Sequence, residues 1–313
     1  MAWEDSAIMR VVVNDISFEV ATTGAGERLA LLLHGFPEHA FSWRFQMPLL
    51  AKIGYRVWAP NLRGYGGTDS PPGIEAYKTE SLVEDVAGLI RAAGAKETVL
   101  IGHDWGGWLA WLVAMQYPEL IQRLVVLNEP HPARFLREFK KPSQFFRSWY
   151  MLFFQIPRLP EFLLGIRRGR VIAKTIRWTA ADPSRFPDDV IEVYRRNAAR
   201  RGGLNAMLNW YRALFRGGGL ERSRHAGFPK IQTPTLFIWG DADRFFCAGT
   251  MRGIEQYAPN LTFRALPGVS HWAQQEAPEA VNAILEAWLS GKRVPEYCES
   301  AGLRFHAAGG ASR

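Results

Sequence analysis

An α/β fold is the architecture this sequence predicts: a mostly parallel eight-stranded sheet with flanking helices and an inserted helical cap. Three observations predict it. Short apolar segments of strand character alternate with amphipathic helices up to about residue 130. The alternation stops from 131 to 228, where every segment has a helical pattern, and it resumes at 233 and runs to a last helix ending near 291. Successive parallel strands need a crossover, so a β-α-β alternation implies a sheet covered by helices. Pro130 and Pro229 mark the boundaries, giving a core of residues 1–130 and 229–313 and a cap of residues 131–228.

The elements follow in chain order. RVVVNDISFEV (10–20) reads as two short strands around Asn14-Asp15, and LALLLHG (29–35) as a buried strand ended by glycine. WRFQMPLLAKIG (43–54) has apolar residues at helical spacing, YRVWAP (55–60) is a strand, and NLRGYGGTDSPPG (61–73) is a loop. TESLVEDVAGLIRAAG (79–94) has a strong 3.6-residue period and opens on a capping-box pattern at Ser81 or Thr79. TVLIG (98–102) is the next strand, WGGWLAWLVAMQYP (105–118) a helix stopped by Pro118, and LIQRLVVLNEP (120–130) a strand. After the cap come the strands TPTLFIWG (233–240) and LTFRALPG (261–268), with a helix expected around 248–257 between them and another over 277–291. The tail after Arg293 is expected to be mobile.

Composition narrows the function. With 313 residues and 48% hydrophobic side chains the chain can bury a large core, which excludes a small disulfide scaffold and a disordered tail. Cys247 and Cys298 stand far apart and in no CxxC, so neither a zinc site nor a disulfide framework is indicated, and a cytoplasmic location fits. The start, MAWEDSAIMRVVV, carries acids where a signal peptide needs a basic segment, and LALLLHGF is too short to span a bilayer, so no membrane partner is expected. The net charge of +8 is uneven: between His131 and Phe228 stand 17 Arg and 3 Lys against 7 Asp and Glu. These arginines are spread among acids through helical patterns, with no run of five like charges and no base-stacking motif. They read as solvated helix faces, and no nucleic-acid partner is expected.

The chemistry begins at Gly102-His103-Asp104-Trp105-Gly106-Gly107, which joins the strand TVLIG to a helix. Small residues two before and two after a central residue permit a sharp strand-to-helix turn, a nucleophile elbow with aspartate in place of serine. A carboxylate nucleophile leaves an ester on the enzyme that water must hydrolyse with help from a base. His271, just past the last strand, is that base, in the chain order nucleophile, acid, histidine. The orienting acid is expected after TLFIWG, where Asp243 is favoured over Asp241, a turn residue, with Glu129 at the end of LVVLNEP a rival. His34-Gly35-Phe36-Pro37-Glu38 follows a strand, and the backbone N–H groups of Phe36 and Trp105 form the expected oxyanion hole.

Those residues carry a resemblance. HGFPE, NLRGYGGTDSP, GHDWGG, WGDADRF and GVSHW resemble the epoxide hydrolases of the α/β-hydrolase superfamily over nearly the whole chain. The resemblance implies the α/β-hydrolase fold, a lid inserted after the sixth strand, and two lid tyrosines that donate hydrogen bonds to the epoxide oxygen. Tyr211, in LNWYR, matches one of them. In SWYMLFFQIP the register of the other falls on Phe153, with Tyr150 one helical turn earlier on the same face, so Tyr150 is the expected substitute donor beside Tyr211, unless one tyrosine suffices. The implied reaction opens an epoxide to a vicinal diol with water and without metal or organic cofactor. The substrate is expected to be a small apolar or aryl epoxide in a pocket formed by Phe36, Trp105, Trp149 and Phe153, with the lid aromatics Phe154 and Trp178 contributing, and the enzyme a monomer or homodimer.

Two alternatives accompany it. Haloalkane dehalogenases resemble the chain at Asp104, Trp105 and His271 but usually carry asparagine where Phe36 stands, and fluoroacetate dehalogenases carry arginine where Trp105 stands. A non-catalytic small-molecule receptor on the same fold is the second alternative.

Overall fold

The computed structural model describes residues 6–217 and 227–297. Cys298 and the end of the expected mobile tail lie outside the described residues. Eight strands form one sheet: β1 (Ala7–Val13), β2 (Ile16–Thr23), β3 (Arg28–Leu33), β4 (Arg56–Pro60), β5 (Glu97–His103), β6 (Arg123–Leu127), β7 (Thr235–Gly240) and β8 (Leu261–Leu266). Their order is β1-β2-β4-β3-β5-β6-β7-β8, with β2 antiparallel to both neighbours and every pair from β4 to β8 parallel. The β1–β2 hairpin turns on Asn14 and Asp15, both in the left-handed region at φ 51° and 59°, as a two-residue turn of this kind requires.

The central strands β3 to β7 are buried on both faces, which is why they read as continuous apolar runs, whereas β1 at the edge is largely exposed. Along β3, Leu29, Leu31 and Leu33 join one core while Ala30 and Leu32 join the other, the two-residue period of a strand splitting its side chains between layers. One layer is built by α2 (Thr79–Ala93) and α3 (Trp105–Gln116), the other by α1 (Gln46–Lys52) and α11 (Pro278–Leu289), which follows the short α10 (Ala273–Glu276). Helix α3 is apolar all round and buried from Trp105 to Ala114, behind the centre of the sheet.

Between β6 and β7 all described secondary structure is helical: α4 (Pro132–Glu138), α5 (Pro142–Arg147), α6 (Trp149–Phe153), α7 (Leu159–Thr179), α8 (Asp188–Ala198) and α9 (Gly203–Arg216), with a 3₁₀ turn at Pro183–Arg185. Helix α7 breaks at Ile166–Gly169, where Arg167, Arg168 and Gly169 take positive φ. Several of the arginines here are paired, Arg195 with Glu192, Arg177 with Asp188 and Arg212 with Glu161. Polar bonds stitch this layer to the core, among them Trp210 Nε1 to Arg63 O, Asn197 Nδ2 to Glu38 O and Trp272 Nε1 to Thr179 Oγ1. No helix among the described residues is long and apolar enough to cross a membrane.

Three local expectations are corrected. The capping box does not form, because α2 starts from Lys78, whose side chain makes no capping bond. The helix expected around 248–257 is two 3₁₀ turns, Ala248–Thr250 and Ile254–Gln256, separated by Gly253 at φ 82°, a conformation an α-helix does not contain. β6 is shorter than 120–130, because Pro118–Leu120 forms a 3₁₀ turn first.

Candidate active site

Asp104 stands between β5 and α3 with φ 48° and ψ −123°, a strained backbone for any residue with a Cβ. The flanking glycines make the turn possible. A Cβ on Gly102 would lie 2.3 Å from the Gly106 carbonyl oxygen, and one on Gly106 would lie 2.1 Å from that of Leu33. The strain lifts the carboxylate over the carboxyl end of the parallel strands, at the positive end of α3. There the Phe36 N–H donates to Asp104 Oδ1 at 2.7 Å, while the Trp105 amide begins the first turn of α3.

The structure brings His271 and Asp243 to the same point. His271 Nε2 lies 3.4 Å from Asp104 Oδ2, and its Nδ1 lies 2.8 Å from Asp243 Oδ2. Asp243 is fixed in turn: its Oδ1 accepts from the N–H groups of Phe245 and Phe246, and its Oδ2 also accepts from Asn128 Nδ2 at 2.9 Å. Asp241 is elsewhere, accepting from the Gly268 N–H in the turn after β8. Glu129 makes no bond to the imidazole. Burial works against a charged His271, yet the carboxylates of Asp243 and Asp104 push its pKa from 6.5 up to about 10. For Asp104, burial alone would raise the pKa, but the hydrogen bond and charge of His271 outweigh it and hold the group below the ordinary carboxylate value.

Glu38 and His103 form a support that the sequence reasoning did not single out. The Glu38 carboxyl accepts from Gly35 N–H, Gln274 Nε2 and Gln275 Nε2 and meets His103 Nδ1 at 2.8 Å, while His103 Nε2 lies 2.9 Å from the His271 carbonyl. One buried carboxyl thus ties the Phe36 loop, the elbow and the His271 loop together. The signal was present in HGFPE and GHD, where a glutamate and a histidine sit inside otherwise apolar or glycine-rich turns. Asn128 was also missed. It sits at φ 45° after β6, which asparagine tolerates, and braces both Asp243 and the Gly240 N–H.

The cap faces this floor with aromatic rings. Tyr211 on α9 and Tyr150 on α6 line the same cavity as Asp104 and His271, their ring centroids 5.9 Å apart. Tyr211 is packed edge-on against Phe36 and Trp105, each at 5.1 Å, and against Phe154 at 5.0 Å. Arg212 clamps the two tyrosine-bearing segments: its guanidinium donates to the carbonyls of Phe154 and Ile156 and to Glu161, and Gln155 Nε2 donates to the Tyr211 carbonyl. Burial, reinforced by the Asp104 charge, pushes both phenols well above 10, so they remain donors.

The cavity measures about 730 Å³ and is walled mainly by apolar groups, including Phe36, Trp149, Phe153 and Phe154. Two expectations change. Trp105 does not line it but lines a smaller chamber that also meets Asp104, with its indole edge-on to Tyr211. Trp178 is 56% exposed and lines neither cavity.

In sequence and fold the chain is similar to known hydrolases. Residues 31–278 match the family model described as alpha/beta hydrolase fold. The chain is 37% identical to Epoxide hydrolase 3 of Xenopus tropicalis over 90% of this chain and 77% of that protein. It is 35% identical to the AB hydrolase superfamily protein YfhM of Bacillus subtilis over 90% of this chain and 97% of that one. Among solved structures, the epoxide hydrolase of Bacillus megaterium in complex with an inhibitor superimposes with a TM-score of 0.81 at 30% identity, covering 90% of this chain and all of that one.

Proposed function

This chain belongs to the α/β-hydrolase fold family and within it to the epoxide hydrolases, and on that premise we infer that it converts an epoxide to a vicinal diol through an ester on Asp104. One observation carries the assignment: a strained carboxylate faces two protonated phenols across an apolar cavity, with a buried imidazole–carboxylate pair beside it.

The geometry gives each group a step. Asp104 Oδ2, the oxygen not held by Phe36, attacks a ring carbon while Tyr211 or Tyr150 gives a proton to the departing ring oxygen. Esterification removes the Asp104 charge, one of the two that keep His271 protonated. The imidazole then releases its proton, which restores the phenol, and becomes a base. It takes a proton from water as the oxygen bonds to the ester carbon, and the charge that develops on Oδ1 meets the Phe36 N–H already seated there. Collapse expels the diol oxygen, which takes the carboxyl proton and leaves Asp104 ionised and His271 protonated, as at the start.

Carbon–halogen cleavage by the same nucleophile would need two halide donors and no proton donor. Here position 36 is a phenylalanine without a side-chain N–H, and the groups opposite Asp104 are phenols, which suits an oxygen leaving group. Single-turnover reaction with styrene oxide in heavy-oxygen water, beside bromobutane as competitor, tests the assignment. Diol with ¹⁸O entering the Asp104 peptide is the expected result. Bromide release alone would replace it with dehalogenation, and no turnover of either would revive a receptor.

A further inference from the structure

Two cavities share Asp104 and both tyrosines in their walls. The outer one, of about 730 Å³, holds His271; the inner one, of about 30 Å³, does not. An epoxide pinned by the phenols above the carboxylate therefore directs one substituent outward and the other into the inner chamber. A water-sized group needs about 10–15 Å³ on this measure, so the chamber takes a substituent of about two heavy atoms.

Most of its wall is apolar, with Trp105, Trp108, Phe135 and Phe246, but one ionisable residue unused by the mechanism also lines it. Glu129 follows β6 and is 5% exposed. Its stem is held on the helix side, where a Cβ on Gly107 would lie 2.6 Å from the Glu129 Cβ, so it has no room to withdraw towards α3. Its carboxyl oxygens make no hydrogen bond to another described residue and are not fully enclosed by the protein, so they open onto the chamber they line. A carboxyl that opens onto so small and apolar a chamber bonds whatever polar group enters it, water or a substrate hydroxyl. Burial, and then the charge of Asp104, push its pKa well above the ordinary value and so favour the neutral acid, which can donate as well as accept.

We propose that the inner chamber is a subsite for a short hydroxyl-bearing substituent, recognised by Glu129, so that the preferred epoxides carry a large apolar group on one ring carbon and a hydroxymethyl-sized group on the other. The proposal rests on the epoxide reading above and adds a substrate class to it.

The test compares phenylglycidol with β-methylstyrene oxide, which differ by one hydroxyl, on wild type, Glu129→Gln and Glu129→Leu, with styrene oxide as reference. Wild type favours phenylglycidol in kcat/KM by at least about tenfold, the discrimination expected of a site built to bond a hydroxyl. Glu129→Gln, which keeps a donor and an acceptor, stays within about threefold of that preference, while Glu129→Leu loses it and opens β-methylstyrene oxide at least as fast as wild type. Absence of a preference in wild type, its survival in Glu129→Leu, or an equal loss on both substrates at unchanged Tm overturns the proposal. So does a wild type that opens styrene oxide but neither two-substituent epoxide. A wild type that opens none of the three overturns the epoxide reading instead. Glu129→Met, more flexible at similar volume, replaces the leucine variant should that one misfold.

Discussion

The floor and the ceiling of the pocket are built on different principles. On the floor, each side chain assigned a chemical step is held by a named hydrogen bond through an atom that does not react: Oδ1 of Asp104 by Phe36, Nδ1 of His271 by Asp243, and Asp243 in turn by Asn128, Phe245 and Phe246. On the ceiling, Tyr150 and Tyr211 are placed by edge-to-face rings, with Arg212 and Gln155 bonding the backbone behind them, and Phe146 and Trp149 nearby are 71% and 60% exposed. A hydrogen bond fixes position to a fraction of an ångström, whereas aromatic contacts accept several arrangements of similar energy. Substitutions on the floor are therefore close to all-or-none, and those on the ceiling are graded.

The largest effect that sharpens this contrast is at the nucleophile. Asp104→Ala lowers diol formation by at least about ten-thousandfold in a variant that still unfolds cooperatively, since no other group can form the ester. His271→Gln slows turnover by about a thousandfold but still consumes one equivalent of epoxide, leaving a mass increase on the Asp104 peptide. Loss of the first equivalent as well would break the division of steps. On the ceiling, Tyr211→Phe and Tyr150→Phe each slow ester formation by about ten- to a hundredfold, and the double variant by more than either. If one single variant is silent in stopped-flow, a single phenol carries the proton.

A smaller effect is in pH. The rate of ester formation holds a plateau whose acid limb lies below the ordinary carboxylate range, set by Asp104, and whose alkaline limb lies near 10, set by His271. Because folding raises the His271 pKa, its contribution to stability is complete below 6.5 and disappears as the pH climbs to about 10. Asp243→Asn removes a supporting charge, so both the alkaline limb and the fall in Tm move to lower pH. The smallest effect is at the rim, where Trp149→Ala changes kcat/KM by less than about threefold, as befits an exposed side chain.

The same contrast decides what was legible in the sequence. Gly102, Asp104 and Gly106 were readable because a strained turn admits few residue types at fixed offsets, and β3 and β5 because a strand buried on both faces has to be apolar throughout. The helical nature of the cap was readable from its period. Less readable was which faces meet: the register of F-Q-x-P fell on Phe153 and only the helical spacing offered Tyr150 instead, and the structure sets Tyr150 beside Tyr211 and Phe153 against Trp149 on the same cavity wall. Glu38 stayed hidden because its partners come from segments as far away as Gln275, 237 residues on, and no local pattern records a contact of that span. The failed helix at 248–257 has a local cause, since Gly253 alone breaks it.

The single amide that seats Oδ1 of Asp104 makes the two oxygens of one carboxylate unequal in history. Only Oδ2 is spent on substrate, and the oxygen of the attacking water takes its place when the diol leaves. In heavy-oxygen water the first diol departs with an oxygen the protein was made with, and each later diol carries label acquired in the cycle before. The seated oxygen never exchanges, so the enzyme keeps a memory one turnover deep and one atom wide.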